Sequence, residues 1–562
     1  MVTPRVSVLE RLQQTPVVQQ RSSRWYWFWI AQALVVATGF RLWFVLHSSF
    51  PLNDGGLFYT MVQDLEHAHF RLPFYTSYNH AHIPFAYPPL GFYVAAALDR
   101  LGWPVLSVFR FLPTLVNVAS VAAFVPLSRA MLRSWRASAA ATFAFALLPM
   151  AFAWQIMGGG ITRAFGQLFA VIALHQAYRL YTRRQRRYVV GLALSAGLTV
   201  LSHPEAAWFL AYSVPLFWLF LAHDWRGLRD SLLAALGAVF LTSPWLVTVL
   251  ARYGFAVLQP MRDSGWAPYS GIGRFALFDL TREPVFPLLG ALALVGTLAA
   301  LARRQFLLPV WLVVIPVLQS RAFDQRAVVP LALLAGIGLV EVVLPLTQRA
   351  LLGVARVRLP AGGRLLTWLN GAFSPRRYRL RHVWLLQVLL ILIVVQSVVA
   401  TERGFRPLLT GLSADDRAAM AWVAEQTPPD ARVLVVTGET WFAQDRVAEW
   451  FPALTGRTNV AVVQGYEWLG QFSDRMKAAT VLQGCGTVGV SCLEYWAAQT
   501  GQSFDYIYLV SQPMWVDGVR HERFGALAEE LVRDPDYALV YSGPGALIFH
   551  RQAVPSWWGG KR

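Results

Sequence analysis

The chain has 562 residues, of which 56% are hydrophobic and only 14% charged. No single water-soluble core hides that much apolar surface, so a bilayer has to solvate part of it. The 49 basic residues exceed the 31 acidic ones for a net charge of +18. They fall in short clusters between apolar runs, the pattern of the positive-inside rule rather than of a nucleic-acid surface, and no nucleic-acid partner is expected.

Residues 1–24 are polar, with Arg5, Arg11, Arg21 and Arg24, and an apolar run follows without a small-residue cleavage site. This reads as a cytoplasmic tail and a retained first span rather than a removed signal peptide. Eleven apolar runs suited to crossing a bilayer lie near 25–47, 106–127, 137–153, 164–179, 188–202, 206–222, 230–250, 285–302, 306–320, 327–346 and 383–400. With the N-terminus inside, the cytoplasmic connections hold Arg129, Arg133 and Arg136, then Arg179, Arg183, Arg184, Arg186 and Arg187. Later ones hold Arg226 and Arg229, Arg303 and Arg304, and a final group from Arg349 to Arg381 within 347–382. The opposite loops are poorer in Arg for their length. The expectation is a polytopic α-helical protein of about eleven spans in the cytoplasmic (plasma) membrane, with its N-terminus cytoplasmic.

The first outer loop, 48–105, is too rich in pattern to be a linker. Residues 56–70 and 88–101 each suit a helix lying along the interface, with an aromatic, His-bearing stretch from Phe70 to Tyr87 between them. A second outer loop, about 251–284, is rich in Gly, Pro and aromatics and reads as a lid or substrate-contact loop.

After Ala400 the composition becomes that of a soluble domain. Ser413, followed by Asp415 and Asp416 and an apolar periodicity to Gln426, predicts a capped helix. Val433–Thr437 and Tyr506–Val510 predict buried strands, Glu522–Arg533 a helix, and Tyr537–Tyr541 and Ala546–His550 strands. Residues 401–562 are therefore expected to form an extracytoplasmic α/β domain. Cys485 and Cys492 are the two cysteines of the chain, and in an oxidising compartment a disulfide is the leading reading.

Residues suited to chemistry gather at the outer ends of the spans. In Asn53-Asp54-Gly55-Gly56, a carboxylate flanked by glycines suits a general base or a ligand for a divalent metal (Mg or Mn). The alternative is that Asn53 or Asp54 caps the following helix. Gly158-Gly159-Gly160-Ile161-Thr162-Arg163 offers close backbone approach and a guanidinium for phosphate, or simply a hairpin. Ser202-His203-Pro204-Glu205 carries His203 and Glu205 at a depth where unpaired polar groups are costly. Gln319-Ser-Arg321-Ala-Phe-Asp324-Gln-Arg326 is read either as a phosphate clamp or as an internal ion pair. His67, His69, His80 and His82 suggest a metal site only weakly. No phosphate-binding glycine loop or ATPase motif stands in the sequence.

In this order, the first span, Asp54, two interfacial helices and Tyr87-Pro88-Pro89-Leu90 resemble the GT-C superfamily of membrane glycosyltransferases. The Tyr-Pro-Pro-Leu segment is similar to that of the lipid-linked-oligosaccharide glucosyltransferases. It also resembles the Lys-Pro-Pro-Leu of the aminoarabinose and protein mannosyltransferase relatives, with Tyr87 where those carry a phosphate-binding Lys. A paired-acid motif is not met, because Asn53 and Gly56 stand where relatives have a second acid. The C-terminal domain is similar in placement to that of oligosaccharyltransferase catalytic subunits, with Trp441, Asp445, Glu449-Trp450-Phe451-Pro452 and Arg457 following the first strand but no Trp-Trp-Asp.

The resemblance implies a GT-C-like membrane domain over 25–400. It further implies an inverting, hexosyltransferase-type glycosyltransferase using a polyprenyl-phosphate sugar and a lipid-linked, glycan or protein acceptor. Asp54 would be catalytic, with Tyr87, Arg163, His203, Glu205, Arg321, Asp324 and Arg326 binding substrate. A transporter or lipid flippase, and a non-catalytic membrane scaffold presenting the α/β domain, are the alternatives.

Overall fold

A computed structural model describes residues 24–257, 272–275, 279–356, 378–511, 513–516 and 519–552. Arg5, Arg11 and Arg21 of the tail, much of the second outer loop and part of the last basic connection lie outside the described residues.

The apolar runs of the sequence lie largely in helices, the run 137–153 only as far as Leu147: α1 (Arg24–Leu46), then, after two short helices of the first loop, α2 (Gly56–His67) and α3 (Leu90–Arg100), the series α4 (Val105–Met131), α5 (Trp135–Leu147), α6 (Gly160–Arg183), α7 (Arg186–Ser202), α8 (Pro204–Leu221) and α9 (Trp225–Tyr253). It continues with α10 (Leu288–Ala302), α11 (Leu307–Leu318), α12 (Phe323–Ile337) running through a π-helical stretch Gly338–Val343 into α13 (Leu344–Arg356), and α14 (Tyr378–Phe405). Among the described residues six helices are long and apolar enough to cross a bilayer: α1, α4, α8, α9, Phe323–Leu351 and the Val383–Phe405 part of α14. α10 and α11 are shorter apolar helices. Outward-facing Trp27, Val35, Leu236, Phe240, Leu298 and Leu392 are each more than half exposed, as lipid-facing side chains are.

The two ends of the bundle differ. At one, Arg184 in the α6–α7 turn pairs with Asp224 before α9 at 2.8 Å, and Arg303 after α10 pairs with Glu341. At the other stand the first loop and the C-terminal domain. Between them, Arg41 of α1 is fully buried, with Nε donating to Asn117 Oδ1 at 2.5 Å and Nη1 to the carbonyls of Ala37 and Ala146. A buried cation bonded through Nε and Nη1 to amide and carbonyl oxygens, and packed 4.6 Å from the Phe152 ring, pins α1 to α4 and α5.

The first loop carries a two-residue hairpin, β1 (Tyr75–Thr76) with β2 (Ile83–Pro84), between α2 and α3. The C-terminal domain begins with α15 (Ala414–Gln426). There Ser413 accepts from Asp416 N while Asp416 accepts from Ser413 N, the reciprocal cap predicted from Ser413 and the acids after it. Then come β3 (Arg432–Val436), α16 (Arg446–Thr455), β4 (Thr458–Asn459), α17 (Phe472–Cys485), α18 (Val490–Thr500), β5 (Tyr506–Val510), a hairpin of β6 (Pro513–Val516) and β7 (Val519–Glu522), α19 (Gly525–Arg533), β8 (Tyr537–Ser542) and β9 (Ala546–Arg551). Residue 522 closes a strand, so the helix expected from Glu522 starts three residues later.

The sheet order is β4-β3-β5-β9-β8, with β3 parallel to β4 and β5, and β9 antiparallel to β5 and β8. Both faces of its centre are buried, hence the unbroken apolar runs. Leu434, Val436, Ile507 and Leu509 pack with Leu482, Leu493 and Leu527 of α17–α19. Val433, Val435 and Tyr508 join a second cluster that contains Trp450 of α16 and Leu57, Met61, Phe85 and Phe92 of the first loop. That shared core fixes the domain on the end of the membrane bundle. Cys485 and Cys492 are joined as a disulfide linking α17 to α18.

Candidate active site

The turn Asn53–Gly56 sits between two glycine-bearing approaches. Gly55 has φ +138°, in the region that favours glycine, and a Cβ there would stand 3.0 Å from Trp450 Cζ2 and from Gly158 Cα. On the opposite side, a Cβ on Gly158 would meet the Asp54 carbonyl at 2.2 Å, and one on Gly159 would meet Arg163 Nη2 at 2.7 Å. The glycines that looked in sequence like room for a ligand are thus room for this turn. Asp54 is not a helix cap: Gly55 occupies that position and no side chain caps α2. Instead Asp54 turns to α6, where Arg163 Nη2 lies 2.7 Å from both carboxylate oxygens and Gly159 N donates to Oδ1 at 3.1 Å. Arg163 is itself aimed by its Nε–H, which donates to the Trp154 carbonyl at 2.8 Å. The Trp154 ring meets half-exposed Trp441 of the C-terminal domain edge to face, with centroids 5.9 Å apart.

From the C-terminal domain, Glu449 Oε1 accepts from Gly55 N at 3.0 Å and Trp450 Nε1 donates to the Asn53 carbonyl at 2.8 Å. Asn53 returns a bond, Nδ2 to the Ala443 carbonyl at 2.8 Å. Burial, then the nearby Asp54 charge, push the Glu449 carboxyl up to about 8, against the opposing pull of the Gly55 N–H and Arg163. Glu449 and Trp450 have no role in the site expected from the sequence. The usable signal is an acid inside the apolar run Val447–Phe451.

A second group adjoins the first through Tyr87. Its ring packs at 4.8 Å from Phe58, 6.1 Å from Trp468 and 6.3 Å from His203, and its hydroxyl feels the Arg163 charge. Burial pushes the Tyr87 hydroxyl up to about 12, so it stays a neutral hydrogen-bonding group. His203 Nδ1 lies 3.5 Å from Arg326 Nη2. Glu205 reaches Arg321 Nε at 3.2 Å and Arg326 Nη2 at 3.9 Å. Arg326 is 2% exposed, and its Nε has no hydrogen-bond partner among the described residues. Arg321 stacks over Phe472 at 5.7 Å, and its charge opposes the upward push of burial on Glu467.

So Asp54, Tyr87, Arg163, His203, Glu205, Arg321 and Arg326 form one connected set at the end of the bundle bearing the C-terminal domain. Asp324 stands apart from Arg321 and Arg326. Its carboxylate is held by Arg274 at 3.1 Å and Arg282 at 3.5 Å, from the second long loop. That pairing replaces the ion pair expected within the segment 319–326.

A divalent ion does not fit this donor set. Both Asp54 oxygens are matched to a guanidinium, whose fixed charge opposes a second cation. Among the described residues no three His, Cys, Asp or Glu side chains gather as a metal requires, the first-loop histidines included.

No family model matches the sequence, and no curated protein is significantly similar to it. Solved structures are. ArnT from Cupriavidus metallidurans bound to undecaprenyl phosphate superposes with a TM-score of 0.53 at 16% identity, over 96% of this chain and 100% of that one. The apo state of that protein gives 0.55 at 16% identity, over 93% and 97%. The chain has the GT-C membrane fold. Arabinofuranosyltransferase AftD from Mycobacteria matches with a TM-score of 0.52 at 15% identity, over 96% of this chain and 41% of that one. At these identities the likeness concerns the fold: an integral, multi-pass GT-C membrane bundle. In this chain the turn after the first helix carries Asp54 and the first loop carries α2 and α3, the order expected from the sequence.

Proposed function

We propose that the protein is an inverting glycosyltransferase of the hexosyltransferase type. It moves a sugar from a polyprenyl-phosphate donor to a hydroxyl of a lipid-linked, glycan or protein acceptor. The reaction takes place at the outer face of the cytoplasmic membrane, with the N-terminus inside and the C-terminal domain outside. The fold shared with a protein solved bound to undecaprenyl phosphate supports this reading. The observation that carries it is the buried Arg326 guanidinium, incompletely satisfied by protein, in a polar network that ends on the Asp54 carboxylate.

In this mechanism Arg326 and Arg321 hold the donor phosphate, which completes the bonding of Arg326 Nε. Tyr87 and His203 close the phosphate end with neutral hydrogen-bonding groups. The acceptor oxygen attacks the anomeric carbon while its proton passes to Asp54. The bond between that carbon and the phosphate oxygen breaks, and polyprenyl phosphate leaves with its charge stabilised by the arginines. Arg163 aims the Asp54 carboxylate before the reaction.

The test is transfer by the full chain in membranes from a panel of undecaprenyl-phosphate sugars. Asp54→Asn is expected to lower kcat by about 10²–10⁴-fold while undecaprenyl phosphate still binds. Undiminished transfer by that variant removes Asp54 from the mechanism.

A further inference from the structure

The C-terminal domain reaches the Asp54 turn through the Ala443 carbonyl, which accepts from Asn53 Nδ2, and through two consecutive residues of α16. Asp445 Oδ1 accepts from Ala448 N at 3.0 Å and starts that helix. One turn later the Glu449 side chain, 5% exposed, accepts from Gly55 N at 3.0 Å. The Glu449 carbonyl accepts from the Tyr78 hydroxyl of the first loop at 2.7 Å, and Trp450 holds the Asn53 carbonyl at 2.8 Å. A Cβ on Gly56 would stand 2.6 Å from the Glu449 carbonyl, so helix and turn touch backbone to backbone.

The peptide groups on both sides of Asp54 are therefore held from the C-terminal domain. The Asn53 carbonyl is bound on one flank and the Gly55 N–H on the other. The Asp54 side chain is held by the membrane domain, through Arg163 and Gly159 N. Gly55 needs such a hold. Its φ of +138° is one conformation among many open to a glycine, and the N–H bond to Glu449 acts with Gly159 N on the Asp54 carbonyl at 3.2 Å and Tyr59 N on the Gly55 carbonyl at 2.8 Å to select it. Tyr78 is already satisfied by the Glu449 backbone, which leaves the Glu449 carboxyl to the turn. The charged groups that face it from elsewhere are Asp54, Arg163 and Glu467.

We propose that Glu449 is a positioning residue for Asp54: by accepting the Gly55 N–H it fixes the peptide that follows Asp54, and with it the direction of the carboxylate, so that the C-terminal domain completes the active site. The proposal rests on the glycosyltransferase reading only for what Asp54 then does. What acts is the hydrogen bond at that reach, not the charge.

Three full-length variants test it. Glu449→Ala removes the acceptor, Glu449→Asp keeps the carboxyl but withdraws it by one methylene, and Glu449→Gln keeps the acceptor oxygen and removes the titrating proton. With undecaprenyl-phosphate sugars as donors, Ala and Asp are expected to lower kcat by about 10- to 100-fold, the scale of a misplaced reacting group, with the donor KM within about twofold of wild type. Gln is expected to restore most of the kcat lost in Ala. In parallel, amide hydrogen exchange over residues 52–58 is followed. It should quicken in Ala and Asp and return toward wild type in Gln.

Equal damage by Gln and Ala overturns the proposal, as does a rise in KM without loss of kcat. So does unchanged exchange at Gly55 in Glu449→Ala. If wild type transfers no sugar yet exchange responds as stated, the functional reading fails and the positioning contact stands. If transfer proceeds and exchange does not respond, the contact fails alone.

Discussion

Replacing Glu449 by Gln should flatten the pH dependence of stability. The Glu449 carboxyl is raised from 4.5 to about 8, first by burial and then by Asp54. A carboxyl raised in the folded protein binds its proton more tightly there than in the unfolded chain. Its contribution is fully present below about 4.5 and is lost as pH climbs toward 8. Within that window the loss approaches about 1.4 kcal/mol per pH unit. Two units, from about pH 5.5 to 7.5, therefore cost up to roughly 3 kcal/mol. Gln carries no titrating proton and keeps the oxygen that accepts from Gly55 N.

Equilibrium unfolding in detergent, followed by tryptophan fluorescence at both pH values, reads the difference. Wild type should lose stability between them, and Glu449→Gln should lose less by up to about 3 kcal/mol, gaining mainly at the higher pH. An identical pH slope in the two proteins would refute the reasoning, since it would mean that Glu449 ionises in the folded state as it does in water.

Gly159→Ala puts a methyl 2.7 Å from Arg163 Nη2 and 2.9 Å from Asp54 Oδ2. It should lower transfer by about 10²-fold without changing membrane insertion, as measured by kcat against the yield of folded protein. Arg326→Met removes the buried guanidinium at nearly constant length. Loss of a charge-assisted bond of about 1.5–3 kcal/mol predicts roughly 10- to 100-fold weaker binding of undecaprenyl phosphate, read by competition with a labelled polyprenyl phosphate. Unchanged affinity would move the phosphate off Arg326.

The helices were legible because lipid demands long apolar runs, and the runs fall largely in helices of the structure, six of them among the described residues long and apolar enough to cross a bilayer. The capped helix after Ser413 and the strands at Val433 and Tyr506 were legible for equally local reasons. The site was half legible. Asp54, Tyr87, Arg163, His203, Glu205, Arg321 and Arg326 stood out as polar groups at helix ends, where burial is costly without a partner. Which of them pair was not readable, since Asp54 meets a residue 109 positions away and Asp324 one 50 positions back. Glu449 escaped because α16 looks like an ordinary amphipathic helix of a soluble domain. Its acid becomes a site residue only when the domain docks on the first loop.

The Trp450–Asn53 bond spans 397 positions, and this carries a consequence for how the protein is made. Asn53 and Asp54 leave the ribosome early and enter the membrane with the first helix. The residues that hold their turn arrive only when about four-fifths of the chain has been synthesised. For most of its synthesis the turn therefore lacks the partners that Glu449 and Trp450 supply, and it is completed only once α16 has folded against it.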